Sequence, residues 1–558
     1  MRRMTVVVLA LALLAGQVGV AAAITPAAQS EPALDGAALV PDTYGGFVGM
    51  VGGRQLPQNL LGVRMLLGGS LTDPDDLIQQ LVAVLFPDSN IDYAADIAPW
   101  LGESLAFGVN SETDWVAVVA TADTARSDSF IQKLIVYLGG EGVQFTPIIH
   151  EGVVVYASSA TGLTAVNGHV VYGALEGVKG VIDVSAGRAT SIAETGGFLQ
   201  VADGLGAGAA VSLYLSGEAL RRSLAEQDVD ISPLLGEVQV TGMGMALSTA
   251  WPTSRLNLAM GWSEPVDGPV MNTPTAGSLF TQALPADSLG FYTSYDVRWP
   301  VQIGLYIYAA QTYFQATLSA IDEGRPTPDL PTAAQLKAQA DGVLALASLT
   351  LSRQLGVTIN LEQNVLQWLS GEYGVALLRN PTGQSLDPRL PVDFALMAQV
   401  IDRNATLNTV EILSRVVASE LGLTPVLVNI GGYDLRAVPG PAGAGNMFVF
   451  GIVDEFLVLA TGTGIDQIVS VANEALPSLA ESEAWVERAA DIAPATEGVL
   501  YLPVSDIVDY LRTALTGELL ETFETANAPA LEPLDYALVT ADMRDGDVWS
   551  LSVVIEMR

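Results

Sequence analysis

The chain has no cysteine and almost no lysine: Lys133, Lys179 and Lys337 are the only lysines in 558 residues. The first absence removes disulfides, thiolate catalysis, cysteine zinc sites and the lipid-bearing cysteine of bacterial lipoproteins. A chain of this length buries enough apolar surface for at least two cores, so export does not require disulfides. The second absence makes the protein acidic. Its 24 Lys+Arg face 61 Asp+Glu, a net charge of −37, although charged residues make up only 15% of the chain, below the roughly 25% of ordinary globular proteins. The imbalance comes from missing bases rather than surplus acids. With no Lys/Arg stripe to neutralise phosphates, nucleic acid is excluded as a partner, and anionic lipid headgroups are disfavoured for the same reason.

Residues 1–23 have the pattern of a secretory signal peptide. Arg2 and Arg3 precede the apolar run Thr5 to Ala15, and Ala21-Ala22-Ala23 offers a small-residue cleavage site. Cleavage near Ala23 is expected, with an uncleaved N-terminal anchor as the alternative. Residues 24–39 are Ala/Pro-rich and form a tether. Trp299 to Ile321 carries no charged side chain over about the length of a membrane-spanning helix. Gln302, Gln311, Gln315 and several hydroxyls interrupt it, so a helix buried in protein is expected, not an integral multi-span membrane protein.

Self-similarity is the most informative pattern. Gly46-Phe47 and Gly290-Phe291 each open a strand, 244 residues apart. Trp100 and Trp368 follow at 268, and the strands Trp115 to Asp123 and Phe394 to Asp402 at 279. Beyond them His169 and Phe456, Phe198 and Trp485, Tyr214 and Tyr501, and Leu224 and Leu511 all differ by 287. The sequence predicts a first unit over 40–262, a Pro/Gly-rich linker over 263–283, and a second unit over 284–558 with a helical insertion at 299–322 and an extra loop from Pro381 to Asp393. Apolar periods of two and of about 3.6 alternate in both. Helices are expected over Asp73 to Phe86, Arg126 to Leu138 and Ala405 to Leu421, and a type I′ hairpin at Asn167-Gly168, with Asp454-Glu455 in the same place. The fold class that follows is α+β: two tandem homologous units, each a mainly antiparallel sheet with helices packed on one face.

The Leu284 to Asp287 opening, the Asp96 to Glu103 segment D-I-A-P-W-L-G-E, and the Val166 to Gly173 hairpin leading to Val181-Ile182-Asp183 resemble a bacterial exported family known as domain of unknown function 3352. The resemblance spans most of the chain after the signal segment. It implies an exported envelope or extracellular protein of repeated α+β units, and it brings no activity. The second unit departs from the motif with Gln367 in place of proline and an added Ser370.

Chemistry is hard to find. His150 and His169 flank an early β-meander and, with Glu151, are a conceivable metal set; exposed turn positions are the expectation, and Phe456 in place of His169 rules out a duplicated site. Gly383 to Asp387 lacks the second glycine of a nucleophile elbow. Gly204-x-Gly206-x-Gly208 and Gly462-Thr463-Gly464 lack the lysine of a phosphate loop. Asp542, Asp545 and Asp547 surround a Gly turn without the bidentate Glu of a calcium loop. Asp73-Pro74-Asp75-Asp76 caps a helix. Trp100 and Trp368 are expected as core plugs, with Glu103 and Glu372 in solvated turns. No residue is assigned a catalytic, cofactor-binding or metal-binding role, and no cofactor is expected. The expected function is a non-enzymatic binding or scaffolding module. A carrier of an apolar ligand or lipid is the alternative, since half of the residues are hydrophobic, and a carboxylate-based hydrolase comes third. No partner is identified; an apolar ligand and an envelope protein are the classes the chain admits.

Overall fold

The computed structural model describes residues 32–56, 78–80, 82–83, 86–87, 89–111, 113–206, 208–226, 239–250, 253–264, 278–295, 333–356, 358–364, 366, 371–380, 391–440, 445–490, 492, 498–544 and 547–558. The signal segment, residues 24–31 of the tether, most of the linker, Asp73 to Asp76, the insertion at 299–322, Trp368 and Gly383 to Asp387 lie outside them, as does most of the Pro381 to Asp393 loop. The rest of the tether is not a plain linker, since Pro32–Asp35 and Gly36–Ala38 form helical turns and Ala37 is fully buried. The chain divides into two compact units: Met1–Val229 with Gln239–Pro265 and Asp547–Arg558, and Asp230–Val238 with Val266–Gly546.

In the first unit the strands are β1 (Gly46–Val51), β2 (Leu101–Val109), β3 (Trp115–Thr121), β4 (Thr146–His150), β5 (Val153–Ala157), β6 (Thr161–Val166), β7 (His169–Ala174), β8 (Val211–Ser216), β9 (Val240–Ala250) and β10 (Thr253–Trp262). They pair antiparallel in the order β4-β5-β6-β7-β3-β2-β1-β8-β9-β10. The main helices are α1 (Thr124–Gly140), α2 (Leu175–Ser185), α3 (Gly196–Leu205) and α4 (Gly217–Glu226). Asp123 starts α1 by accepting from Arg126 N at 3.1 Å, which satisfies one of the unpaired first-turn amides. Asn167 (φ 48) and Gly168 (φ 76) form the tight turn from β6 to β7.

The helices cover both faces of this sheet, which corrects the one-face expectation. Phe47 and Val51 of β1 join Val178, Val181, Phe198 and Val201 of α2 and α3 in one core. Met50 of β1 and Val170 of β7 join Phe130, Ile131 and Leu134 of α1 in another. Alternate residues of a strand point to opposite faces, so nearly continuous apolar strands such as His169–Ala174 need cover on both sides. Each fully buried Leu, Ile or Phe there contributes about 1.5–3 kcal/mol.

The second unit contains β11 (Gly290–Tyr295), β12 (Glu372–Arg379), β13 (Val392–Gln399), β14 (Val426–Ile430), β15 (Tyr433–Pro439), β16 (Asn446–Val453), β17 (Phe456–Thr461), β18 (Gly498–Leu502) and β19 (Leu534–Arg544). Their antiparallel order is β14-β15-β16-β17-β13-β12-β11-β18-β19. The main helices are α5 (Ala333–Leu355), α6 (Arg403–Glu420), α7 (Gly464–Ala472), α8 (Glu483–Ala489) and α9 (Val504–Ala514). Val410 and Val417 of α6 pack on Val438 and Phe450, and Ile465 and Ile468 of α7 are buried as well.

The local geometry repeats at the spacings seen in the sequence. An isolated bridge joins Pro41 to Ser191, and another joins Pro285 to Ser478. Ser191 and Ser478 each head a capping box, with Glu194 and Glu481. Phe47 and Phe198 meet edge to face at 5.8 Å, and Phe198 meets Tyr214 at 5.0 Å; Phe291, Trp485 and Tyr501 repeat the arrangement at 5.1 and 5.0 Å. The α+β class holds. The last strand, β20 (Val548–Met557), is the exception to a unit running to residue 558: it groups with the first unit and pairs with β10 from Thr253↔Glu556 to Gly261↔Val548. No helix among the described residues is long and apolar enough to cross a membrane, which says nothing of β-strand crossings.

Candidate functional site

Three carboxylates of the second unit are buried among the described residues, and two of them, Glu372 and Asp393, are held by backbone amides. Glu372, at the start of β12, is 2% exposed. It accepts from Phe280 N at 3.0 Å, in the short helix Leu279–Ala283, and from Thr293 Oγ1 at 3.1 Å on β11. Burial pushes its carboxyl above the usual range, against the pull of these donors. The expectation of a solvated turn is therefore wrong for Glu372, while Glu103 is exposed as expected. The difference arises because a helix start distant in sequence delivers amide donors to Glu372.

Asp393, the second residue of β13, is fully buried. Its oxygens accept from Thr463 N (2.9 Å), Thr463 Oγ1 (3.0 Å), Thr461 Oγ1 (3.2 Å) and Asn380 Nδ2 (3.3 Å). Burial again raises the carboxyl pKa, opposed by those hydrogen bonds. Gly462 has φ 51, and any Cβ there would strike the Asp393 carboxylate. The Gly462-Thr463-Gly464 loop thus does hold an anion at the start of α7, but the anion is the chain's own. At the corresponding place in the first unit Asp114 accepts from Tyr44 Oη and Asn110 Nδ2, both at 3.1 Å. Burial, helped by the Asp114 charge, pushes the Tyr44 hydroxyl far up. An acid at the start of the third strand, Asp114 just before Trp115 and Asp393 just after Val392, was the available sequence signal.

The histidines are not brought together as a metal set. His150 ends β4, and its Nε2 lies 3.1 Å from Asp183 Oδ1, which also accepts from Arg188 Nη2 at 2.9 Å. Burial works against the charge on Asp183, but Arg188 and His150 outweigh it and hold the carboxyl below its ordinary value. Glu151 faces Arg188 at 3.7 Å. His169 Nδ1 lies 2.9 Å from the carbonyl of Asn167 in its own turn. No group of three metal-capable side chains forms among the described residues. Asp542 is buried and Asp547 accepts from Gln200 Nε2 at 3.1 Å, while Asp545 lies outside the described residues. Trp100 is a core plug: it is 3% exposed, stacks near Phe130 at 5.2 Å, and donates to Asp96 O at 2.7 Å.

An open concavity lies in the first unit. It is a groove of about 450 Å³ between α1 and the β5–β6 hairpin, lined by Asp128, Ser129, Ile131, Gln132, Val154 and Tyr156. Ile131 forms an apolar floor at 3% exposure, and Val154 is an exposed apolar wall. Gln132 Nε2 donates to Tyr156 Oη at 3.1 Å. Ser129 Oγ donates to Ala125 O at 3.0 Å. The groove was not visible in the sequence, because α1 and β5 contribute to it from opposite sides of a turn-rich segment.

No curated protein matches the chain. Among solved structures it is similar to crystal forms I and III of TP0453, with 9% and 11% identity. These cover 43% and 44% of this chain and 82% and 84% of that one, each with a TM-score of 0.24, a likeness too slight to carry function across. Residues 74–557 match the family described as Protein of unknown function (DUF3352), and with most of its length covered the chain belongs to that family.

Proposed function

We propose that the protein is an exported, non-enzymatic module of two diverged copies of one α+β unit, and that it binds another molecule through the groove between α1 and the β5–β6 hairpin. Duplication is supported by the recurring bridges, capping boxes and aromatic triads at spacings of 244 and 287 residues. Export rests on the N-terminal pattern in the sequence. The observation that carries binding is the groove itself: the Asp128 carboxylate and the Gln132 amide oxygen are open, whereas the buried acids Glu372 and Asp393 are already engaged by amides and hydroxyls. A hydrolase needs acids free to exchange protons with a substrate, which disfavours those two. The test is retention of envelope components on the immobilised full chain and on a Val154→Glu variant. Retention by the unsubstituted chain alone supports the reading. Equal retention by both, or turnover of ester, glycoside or peptide substrates by the purified protein, would overturn it.

A second reading, a carrier of an apolar ligand, is favoured by Leu346 and Leu349 of α5, which are 64% and 47% exposed. Organic extraction of the purified protein followed by mass spectrometry decides it: a co-purifying lipid supports the carrier, and an empty extract removes it.

A further inference from the structure

We propose that the groove of the first unit is a site for an alkylammonium group, either a lysine side chain of a partner protein or a free diamine. The proposal rests on the reading of the groove as the binding surface and names its ligand chemistry.

The polar atoms left open in the groove are mostly acceptors. Asp128 has no cationic partner among the described residues, and Gln132 gives one Nε2 hydrogen to Tyr156 and leaves its Oε1 available. Ser129 Oγ gives its hydrogen to Ala125 O and retains lone pairs. An ammonium, with three donors and no acceptor, complements such a set. The Tyr156 ring adds a face suited to a cation. The buried Ile131 and the exposed Val154 offer apolar surface for the methylene stem behind the charge. An anion is disfavoured by Asp128 and by the chain's net charge of −37.

The second unit supplies an internal precedent. Tyr156 pairs with Pro147 across the β4–β5 hairpin, and Arg436 pairs with Leu427 in the same register of β14–β15. Gln132 lies nine residues beyond the cap Asp123, and Glu411 nine beyond the cap Asp402. Where the first unit has Gln132 and Tyr156, the second has Glu411 facing Arg436 at 3.9 Å and Arg415 at 3.5 Å. Leu407 takes the place of Asp128 and is exposed. The second unit therefore fills the position with its own cation, and the first leaves acceptors without one.

The test is isothermal titration calorimetry of the full chain with two probes, Nα-acetyl-lysine methylamide and 1,5-diaminopentane, at about 0.15 M salt so that the general field of an acidic protein is screened. Saturable binding at one site is expected for at least one probe. Asp128→Asn should weaken it about tenfold. Glu141→Gln makes the same charge change at the end of α1, outside the groove, and should leave it unchanged. A Gln132→Glu, Tyr156→Arg double variant, which builds the second unit's pair, should abolish binding with circular dichroism unchanged. Tighter binding of the lysine derivative assigns a protein side chain as the source, and tighter binding of the diamine assigns a free amine. The proposal is overturned if neither probe saturates, if Asp128→Asn and Glu141→Gln weaken binding equally, or if the double variant binds like the unsubstituted chain. Should the amines fail while a retained envelope component is still lost on the double variant, the ammonium chemistry falls and the binding reading stands.

Discussion

Phe198 in the first unit and Trp485 in the second each follow a capping box, and each is wedged between a Phe of an early strand and a Tyr of a later one. Around these matching aromatic centres the polar surroundings differ. Tyr501 receives Arg488, which also pairs with Asp535 at 2.8 Å, while Val201 stands in the arginine's place beside Tyr214. Asp393 is wrapped by a glycine-threonine loop, whereas Asp114 is met by a tyrosine. Apolar packing constrains shape on every side, so it persists, while a polar cluster needs only its donors and acceptors matched and has several solutions.

The comparison breaks most readily at the aromatic centre. Trp485→Ala removes a side chain that is 1% exposed and should cost about 3–5 kcal/mol, read as a fall in the urea midpoint. Trp485→Phe installs the first unit's residue and removes an indole N–H that has no hydrogen-bond partner among the described residues. It should cost less than half as much. An equal loss for both variants would show that the two centres are not interchangeable.

Asp393→Ala comes next, at about 3 kcal/mol, because it leaves Thr463 N, two hydroxyls and the Asn380 amide without their acceptor in a buried place. Asp114→Ala should cost about 1 kcal/mol, since it frees only the Tyr44 hydroxyl and the Asn110 amide. Comparable losses at the two positions would remove the claim that the second unit depends more on its acid.

The buried acids of the second unit and the ion-paired acids of the first also differ in the sign of their acid response. Burial raises Glu372 and Asp393 above their ordinary values of 4.5 and 3.8. Such groups favour the folded state when protonated, so their contribution is present at low pH and is lost as pH rises through the raised values. Asp96 and Asp183 are lowered from 3.8. Asp96 is held down first by its bond from the Asp92 amide and then by Lys133, and Asp183 by Arg188 and His150 against its burial. Their contribution is present above 3.8 and is lost as pH falls through the lowered values. Urea midpoints between about pH 3 and 7 should therefore decline less on the alkaline side for Glu372→Gln, Asp393→Asn, and less on the acid side for Asp96→Asn, Asp183→Asn. Matching profiles for the two double variants would defeat the contrast.

Much of this framework was legible in the sequence, for physical reasons that particular residues make plain. Asp123 and Asp402 announce their helices because a cap is a local interaction. Asn167-Gly168 announces its turn because positive φ restricts residue choice. Glu372 and the groove were not legible, since the partners of Glu372 come from Phe280 and Thr293, far along the chain, and the groove needs α1 laid over β5. The two-faced covering of the sheet was written in runs such as His169–Ala174, yet an apolar run alone does not say how many helices will cover it.

The smallest effect tests the same contrast at one atom. Ser212 of β8 is fully buried between Gly49 of β1 and Ala246 of β9, and its hydroxyl has no hydrogen-bond partner among the described residues. At the same step of the second unit stands Val499, equally buried, between Thr293 and Thr540. A lone hydroxyl in an apolar setting loses its water without replacement, so deleting it should stabilise the protein, by about 1 kcal/mol. Ser212→Ala makes that deletion without adding volume to a strand flanked by Gly49 and Ala246. A raised urea midpoint at unchanged slope is the expected result. A lowered midpoint would mean that the hydroxyl is satisfied in solution, and that this strand of the first unit keeps a polar bond where its counterpart keeps only packing.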